Sequence, residues 1–274
     1  MRFSFVVSAG LGYQIPNLFE NGASFAEFER ALRLLKEQGF TGVELNLNSD
    51  DRSILSKIRD SIRAEGLQLA AVGTGLIYLA KGLSFSDPDP AIREKALAIM
   101  KELIRFASTE NSVVVIGMVR GNPSSSNAVR LLIESLRKCD KAAFESGVRL
   151  VLEALNRYET SILNTATEVA NSIRDAQLTA TGILLDSFHM NIEEQSIEES
   201  IRKYHDRIGH FHIADSDRWP PGHGHLKIED QLRLLENLGY GGWVSAETLP
   251  KPDNVAAVKA TANFLKAQNF LKPP

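Results

Sequence analysis

The sequence is short of several things that would each announce a function. It has one cysteine, Cys139, so neither an internal disulfide framework nor a cysteine-rich zinc module is available, and a lone thiol fits a reducing, cytoplasmic setting. It lacks a basic surplus. With 31 Lys and Arg against 34 Asp and Glu the net charge is -3, which leaves nothing to neutralise a phosphate backbone, and nucleic acid is not an expected partner. No run of about 18 apolar residues occurs, so no membrane-spanning helix is expected. The opening Met1-Arg2-Phe3-Ser4-Phe5-Val6-Val7 is too short for the apolar core of a signal peptide. Ser8-Ala9-Gly10-Leu11-Gly12 lacks the spacing of a dinucleotide-binding turn, and tandem repeats and low-complexity tracts are missing too.

What remains is a globular composition, 43% hydrophobic and 24% charged, which argues against disorder. A chain of 274 residues buries roughly 75% of its unfolded surface, enough for one domain across residues 1–274. Strand-like apolar runs fall at residues 2–8, 42–47, 67–74, 113–119, 149–155, 182–188, 208–214 and 243–248. Nearly continuous apolar runs mark parallel strands buried on both faces. Between them lie amphipathic segments. Ser24-Phe25-Ala26-Glu27 reads as a capping box, followed by Phe28, Leu32 and Leu35 at helical spacing. Pro90 opens a helix running to Phe106, and Gly39, Gly66, Gly147 and Gly239 read as helix stops. Eight strand–helix units without a composition break predict an α/β fold, the (β/α)8 TIM barrel.

In such a barrel the chemistry collects where the strands end. The last four runs deliver Glu153, Asp186, His212 and Glu247 in turn, each after apolar residues. Buried charges are costly unless they are paired or ligate a cation. Three carboxylates and one imidazole suit Mn²⁺, Mg²⁺ or Co²⁺ better than a closed zinc site, and four protein ligands leave two positions for adjacent substrate oxygens. Glu159, His189 and Arg218 follow six, three and six residues after Glu153, Asp186 and His212. His210 points the same way as His212 one layer deeper, and reads as a hydrogen-bonded interior histidine. Glu44, near the end of the second run, either reaches the pocket or pairs with a barrel cation. Trp219 reads equally as pocket lining or loop packing, and His223 and His225 as loop residues rather than extra ligands. Asp50-Asp51 and Glu193-Glu194 read as solvated helix starts, which favour acids, and Cys139 as a structural residue of a helix.

Glu153-Ala154-Leu155-Asn156-Arg157-Tyr158-Glu159, Asp186-Ser187-Phe188-His189-Met190-Asn191-Ile192-Glu193-Glu194, His212-Ile213-Ala214-Asp215-Ser216-Asp217-Arg218, Pro221-Gly222-His223-Gly224-His225 and Ser245-Ala246-Glu247 resemble, in order, signatures of the xylose-isomerase-like sugar isomerase and epimerase family. Within it the ketose 3-epimerases of the tagatose, psicose and ribulose type are most similar. The resemblance implies an isomerase that takes a small sugar or sugar acid and works with a divalent cation, Mn²⁺ first and Co²⁺ or Mg²⁺ next. It implies Glu153, Asp186, His212 and Glu247 as metal ligands and Glu153 and Glu247 as the acid/base pair acting through a cis-enediolate. Glu159, His189 and Arg218 would hold the carbonyl end of the substrate, and the protein would be a homodimer or homotetramer. Gly73-Thr74-Gly75, Tyr78-Leu79-Ala80-Lys81-Gly82-Leu83-Ser84 and Ile116-Gly117-Met118-Val119-Arg120-Gly121 resemble the branch that converts 5-keto-L-gluconate to D-tagaturonate. There Arg120, at the end of the fourth run, would grip a substrate carboxylate with two parallel hydrogen bonds, or else pair with a neighbouring loop acid. Competing expectations on the same fold are an aldose-ketose isomerase of the hydroxypyruvate isomerase type and an inosose dehydratase. An apurinic endonuclease needs more ligands than six histidines and this charge supply, and a non-catalytic barrel has no need of the ligand set.

Overall fold

Eight parallel strands hydrogen-bond in chain order and the last pairs with the first, closing a TIM barrel. They are β1 (Arg2–Ser8), β2 (Gly42–Asn46), β3 (Gln68–Gly73), β4 (Val113–Ile116), β5 (Leu150–Glu153), β6 (Thr181–Asp186), β7 (Ile208–Ile213) and β8 (Trp243–Ala246). The computed structural model describes residues 1–8, 22–123 and 125–272. Around the barrel run α1 (Gly22–Gln38), α2 (Arg52–Ala64), α3 (Gly75–Leu79), α4 (Pro90–Ser108), α5 (Ala128–Glu145), α6 (Ala166–Asp175), α7 (Ser187–Glu193), α8 (Ile197–Tyr204), α9 (Ile228–Asn237) and α10 (Asn254–Ala267).

The helices begin and end for local reasons. The Asp51 carboxylate accepts the Ser53 and Ile54 amides to open α2, and Asp89 accepts the Ala91 amide to open α4 behind Pro90. Thr165 and Glu168 form a reciprocal capping box on α6. Gly66 and Gly147, at φ +67° and +65°, turn the chain out of α2 and α5 where a side chain would be strained. On α1, Phe28, Leu32 and Leu35 bury the face that packs on the sheet. That helix begins at Gly22, ahead of the expected cap; the Ser24 side chain and the Gly10–Gly12 turn lie outside the described residues.

Two expectations are corrected here. Glu193 and Glu194 close a helix instead of opening one, because Asp186 caps α7 directly at the end of β6. Glu193 then binds the Arg157 guanidinium and main-chain amide, and Glu194 binds the Ala166 amide and the Ser200 hydroxyl. The fourth strand is also shorter than its apolar run: it stops at Ile116, and Met118–Arg120 forms a single 3-10 turn.

The barrel interior divides into two sectors. β3, β4, β5 and β6 fill theirs with Ala71, Val115, Val151 and Leu184. β7, β8, β1 and β2 contribute His210, Ser245, Ser4 and Glu44, joined by hydrogen bonds.

Candidate metal centre

Glu153, Asp186, His212 and Glu247 stand at or just past the C-terminal ends of β5, β6, β7 and β8, and each presents a ligand-capable atom within 4.8 Å of the others. His212 Nδ1 sits 3.2 Å from Glu247 Oε2, 3.7 Å from Asp186 Oδ2 and 3.8 Å from Glu153 Oε1. Glu153 Oε1, Asp186 Oδ2 and His212 Nδ1 are buried and make no hydrogen bond. Buried polar atoms are rarely left so. Asp186 spends its other oxygen on the Phe188 amide, 2.7 Å away, which leaves Oδ2 aimed at the cluster. Gly117 makes room for Glu153: a β-carbon there would lie 2.6 Å from Glu153 Oε2.

The electrostatics are those of a site built for positive charge. Burial opposes ionisation of Asp186 and Glu247, but His189 and His212 for the first, and Arg218 and His212 for the second, hold both carboxyls below their ordinary range. Burial, reinforced by the Glu247 and Asp186 carboxylates, pushes the Glu153 carboxyl well up. Burial works against protonating His212, yet Glu44, Glu247 and Asp186 raise it well above the usual histidine value. The field that holds a proton on His212 is the field that would hold a cation in its place. Three orphaned donors and an oxygen-rich set fit a hard divalent ion.

Around the cluster the remaining predicted residues split. Arg218 donates to Glu159 Oε1 at 2.9 Å and to Glu247 Oε2 at 2.8 Å, with its guanidinium 4.9 Å above the Phe188 ring. It adopts φ +60°, a strained conformation for a side-chain-bearing residue. Asp215 makes this turn possible by accepting the Ser216, Gly222 and Leu226 amides, and the Leu249 amide donates to the Arg218 carbonyl. His189 Nδ1 accepts the Asn156 amide at 3.3 Å, which leaves Nε2 as the protonated nitrogen, 3.6 Å from Glu153 Oε1. Burial holds this imidazole below the ordinary histidine range, against the opposing pull of Asp186. Asn156 therefore positions His189, and it also donates to Glu159 at 3.1 Å; its place beside Glu153 and Glu159 was the only sign of this in the sequence.

Arg120 is not at the mouth of the site. It is fully buried, and its five N–H groups donate to the carbonyls of Gly117, Ile116, Glu153, Ile162 and Leu163. No donor is left for a substrate carboxylate, and among the described residues no loop acid forms an ion pair with it. Glu44 pairs inside the barrel with His210 and His212. Burial opposes its ionisation, but the two histidines outweigh this and hold its carboxyl far below the usual range. Trp219 stacks on His223 at 4.1 Å, and His223 bonds Asp217, so these are loop packing; His223 and His225 are exposed and outside the cluster. Cys139 is buried in α5 with its thiol pushed up by burial.

A cavity of about 770 Å³ opens over the cluster, lined by Thr74, Leu76, Met118, Leu155, Leu249 and Pro250 among others. Among the described lining residues Arg218 is the only Lys or Arg, and two glutamates already neutralise it. Among the described residues no helix is long and apolar enough to cross a membrane.

Comparison with known proteins gives a consistent picture. Residues 32–268 match the xylose isomerase-like TIM barrel family. The D-psicose 3-epimerase of Enterocloster bolteae is 29% identical over 256 residues, 88% of this chain and 83% of that protein. The 3-dehydro-D-guloside 4-epimerase of Escherichia coli is 29% identical over 83% of this chain and 90% of that protein. A crystal structure of D-allulose 3-epimerase from Methylomonas sp. superposes with a TM-score of 0.81 at 20% identity, covering 98% of each chain, which speaks for the fold.

Proposed function

The chain belongs to the xylose isomerase-like TIM barrel family, and on that premise we propose that it is a divalent-metal-dependent epimerase of a neutral ketose. The observation that carries the reading is the convergence of three orphaned buried ligand atoms with Glu247 at the barrel mouth. The relatives named as 3-epimerases and as a 4-epimerase share one chemical task, inversion at the carbon beside a ketone. Glu153, Asp186, His212 and Glu247 would hold the cation, Mn²⁺ first. When bound, the cation supplies Lewis-acid stabilisation of negative charge on the carbonyl oxygen and its neighbouring hydroxyl.

The remaining chemistry belongs to the side chains. Glu153 and Glu247 come from strands three places apart on the barrel, so they reach the reacting carbon from different sides. One removes the proton next to the ketone and the other returns a proton to the opposite face. Burial and the neighbouring carboxylates push Glu153 up, while Arg218 and His212 hold Glu247 down. His189 Nε2–H and the Arg218 guanidinium donate to the oxygen on which charge develops, and Glu159 fixes Arg218 and takes a substrate hydroxyl. A neutral ketose is favoured over 5-keto-L-gluconate because the described cavity wall offers no unpaired cation to a carboxylate.

Incubation with Mn²⁺ and a panel of neutral ketoses and keto-sugar acids in D₂O tests this. Deuterium should enter both epimers at the inverted stereocentre, C3 of a 2-ketose, with neutral ketoses turned over faster. Label at C1 of an aldose-ketose pair, or a dehydrated product, would replace the reading with an isomerase or a dehydratase.

A further inference from the structure

We propose that Glu44 is a positioning residue for the cation site: from the barrel floor it determines which nitrogen of His212 faces the ligand cluster. The inference rests on the reading of Glu153, Asp186, His212 and Glu247 as a cation site. Glu44 stands on β2, three places around the closed barrel from β7, and its carboxylate crosses the interior to meet both histidines of that strand. His210 Nε2 lies 2.7 Å from Glu44 Oε2, and His212 Nε2 lies 3.1 Å from Oε1 and 3.2 Å from Oε2. All three side chains are about 1–2% exposed, so water does not compete for these bonds.

A carboxylate only accepts hydrogen bonds, so the hydrogen of His212 is drawn to Nε2. Its Nδ1 is left facing Glu153, Asp186 and Glu247 without a hydrogen bond, the nitrogen a cation needs. Without Glu44, the imidazole is free to place its hydrogen on Nδ1 instead, where it points at the cluster and repels a cation. A carboxylate behind a metal-binding imidazole commonly contributes 10–100-fold in affinity. Glu44 is itself held: His210 takes Oε2, Ser245 Oγ lies 2.9 Å from the same His210 nitrogen, and Ser4 Oγ lies 2.7 Å from Ser245 Oγ. Four strands thus brace one imidazole.

Glu44, His210 and His212 also bring ligand-capable atoms within 4.8 Å of one another, which raises a second cation as the rival occupant. The distances favour protons. Ligand atoms around a tetrahedral ion with bonds of about 2.1 Å stand roughly 3.4 Å apart, whereas His210 and Glu44 are 2.7 Å apart.

The test is titration of the metal-stripped full chain with Mn²⁺ by calorimetry, and with Co²⁺ by its visible absorption, for the wild type and Glu44→Gln. The variant should bind Mn²⁺ about 10–100-fold more weakly, with an altered Co²⁺ spectrum, while circular dichroism shows an intact barrel. A merely structural role would lower the melting temperature and leave the affinity of the folded protein unchanged; that result overturns the proposal. Should Glu44→Gln fail to fold, Glu44→Asp keeps the charge but withdraws it by one methylene, and a loss of about 10-fold is expected, with wild-type affinity again overturning the proposal. Two Mn²⁺ equivalents in the wild type and one in the variant would put a cation at Glu44 and also overturn it. A wild type that takes up no divalent ion would instead bring down the cation-site reading on which the proposal rests.

Discussion

Replacing Arg120 with methionine removes five hydrogen bonds from a place water does not reach. The guanidinium ties the end of β4, through Ile116 and Gly117, to the Glu153 carbonyl and to Ile162 and Leu163 in the loop beyond β5. Hydrogen bonds to a charged group contribute about 1.5–3 kcal/mol each, and relaxation would satisfy some of the freed carbonyls. With two left unmet, the loss is about 3–6 kcal/mol, which lowers the melting temperature on the order of 10 °C in a chain of this size. Arg120→Lys keeps a charge but only three donors on a flexible stem, so roughly half the loss should remain. Thermal unfolding followed by circular dichroism gives the magnitude, and rates on neutral and carboxylated sugars give the selectivity. Because the guanidinium does not face the cavity, both rates should fall together. A melting temperature within about 1 °C of wild type, or activity lost only on carboxylated sugars, would refute the reasoning and return Arg120 to the substrate.

Two further predictions follow from the same geometry. Gly117→Ala brings a methyl to 2.6 Å from Glu153 Oε2, so that carboxylate must shift; kcat should drop about 10–100-fold, and an unchanged rate would show that the Glu153 carboxylate is not at the reacting centre. Burial opposes ionisation of Asp215, but the Leu226, Ser216, Gly222 and Gly224 amides hold its carboxyl below the ordinary value. A depressed carboxyl contributes stability that is complete above about pH 3.9 and is lost as pH falls through the folded value. Asp215→Asn should therefore flatten the loss of stability below pH 4 in urea titrations, and parallel slopes for the two proteins would exclude this role.

The strand–helix order was legible because strands buried on both faces are apolar from end to end, and four of them run into a single polar residue apiece. Arg120 was misread for the same reason. Residues 113–119 are one apolar run interrupted only by Gly117, yet that glycine, at φ -101° and ψ -116°, follows the end of the strand and opens a 3-10 turn in which Arg120 is buried. Glu44 was undecidable along the chain: its partners lie 166 and 168 residues away and meet it only when β8 closes on β1. Glu193 fell to a local preference, acids at helix starts, which applies only once the start is known.

The polar half of the barrel floor bears on how such a protein can diversify. Among the described residues the imidazole at the rim is aimed by Glu44 and the groups behind it on β1, β7 and β8, and not by the loops. Grip and taste are thereby separable traits: loops can be grafted, lengthened or randomised to accept another sugar, while the foundation beneath His212 goes untouched. A library that spares Ser4, Glu44, His210 and Ser245 should keep its variants metal-competent, whatever they come to prefer.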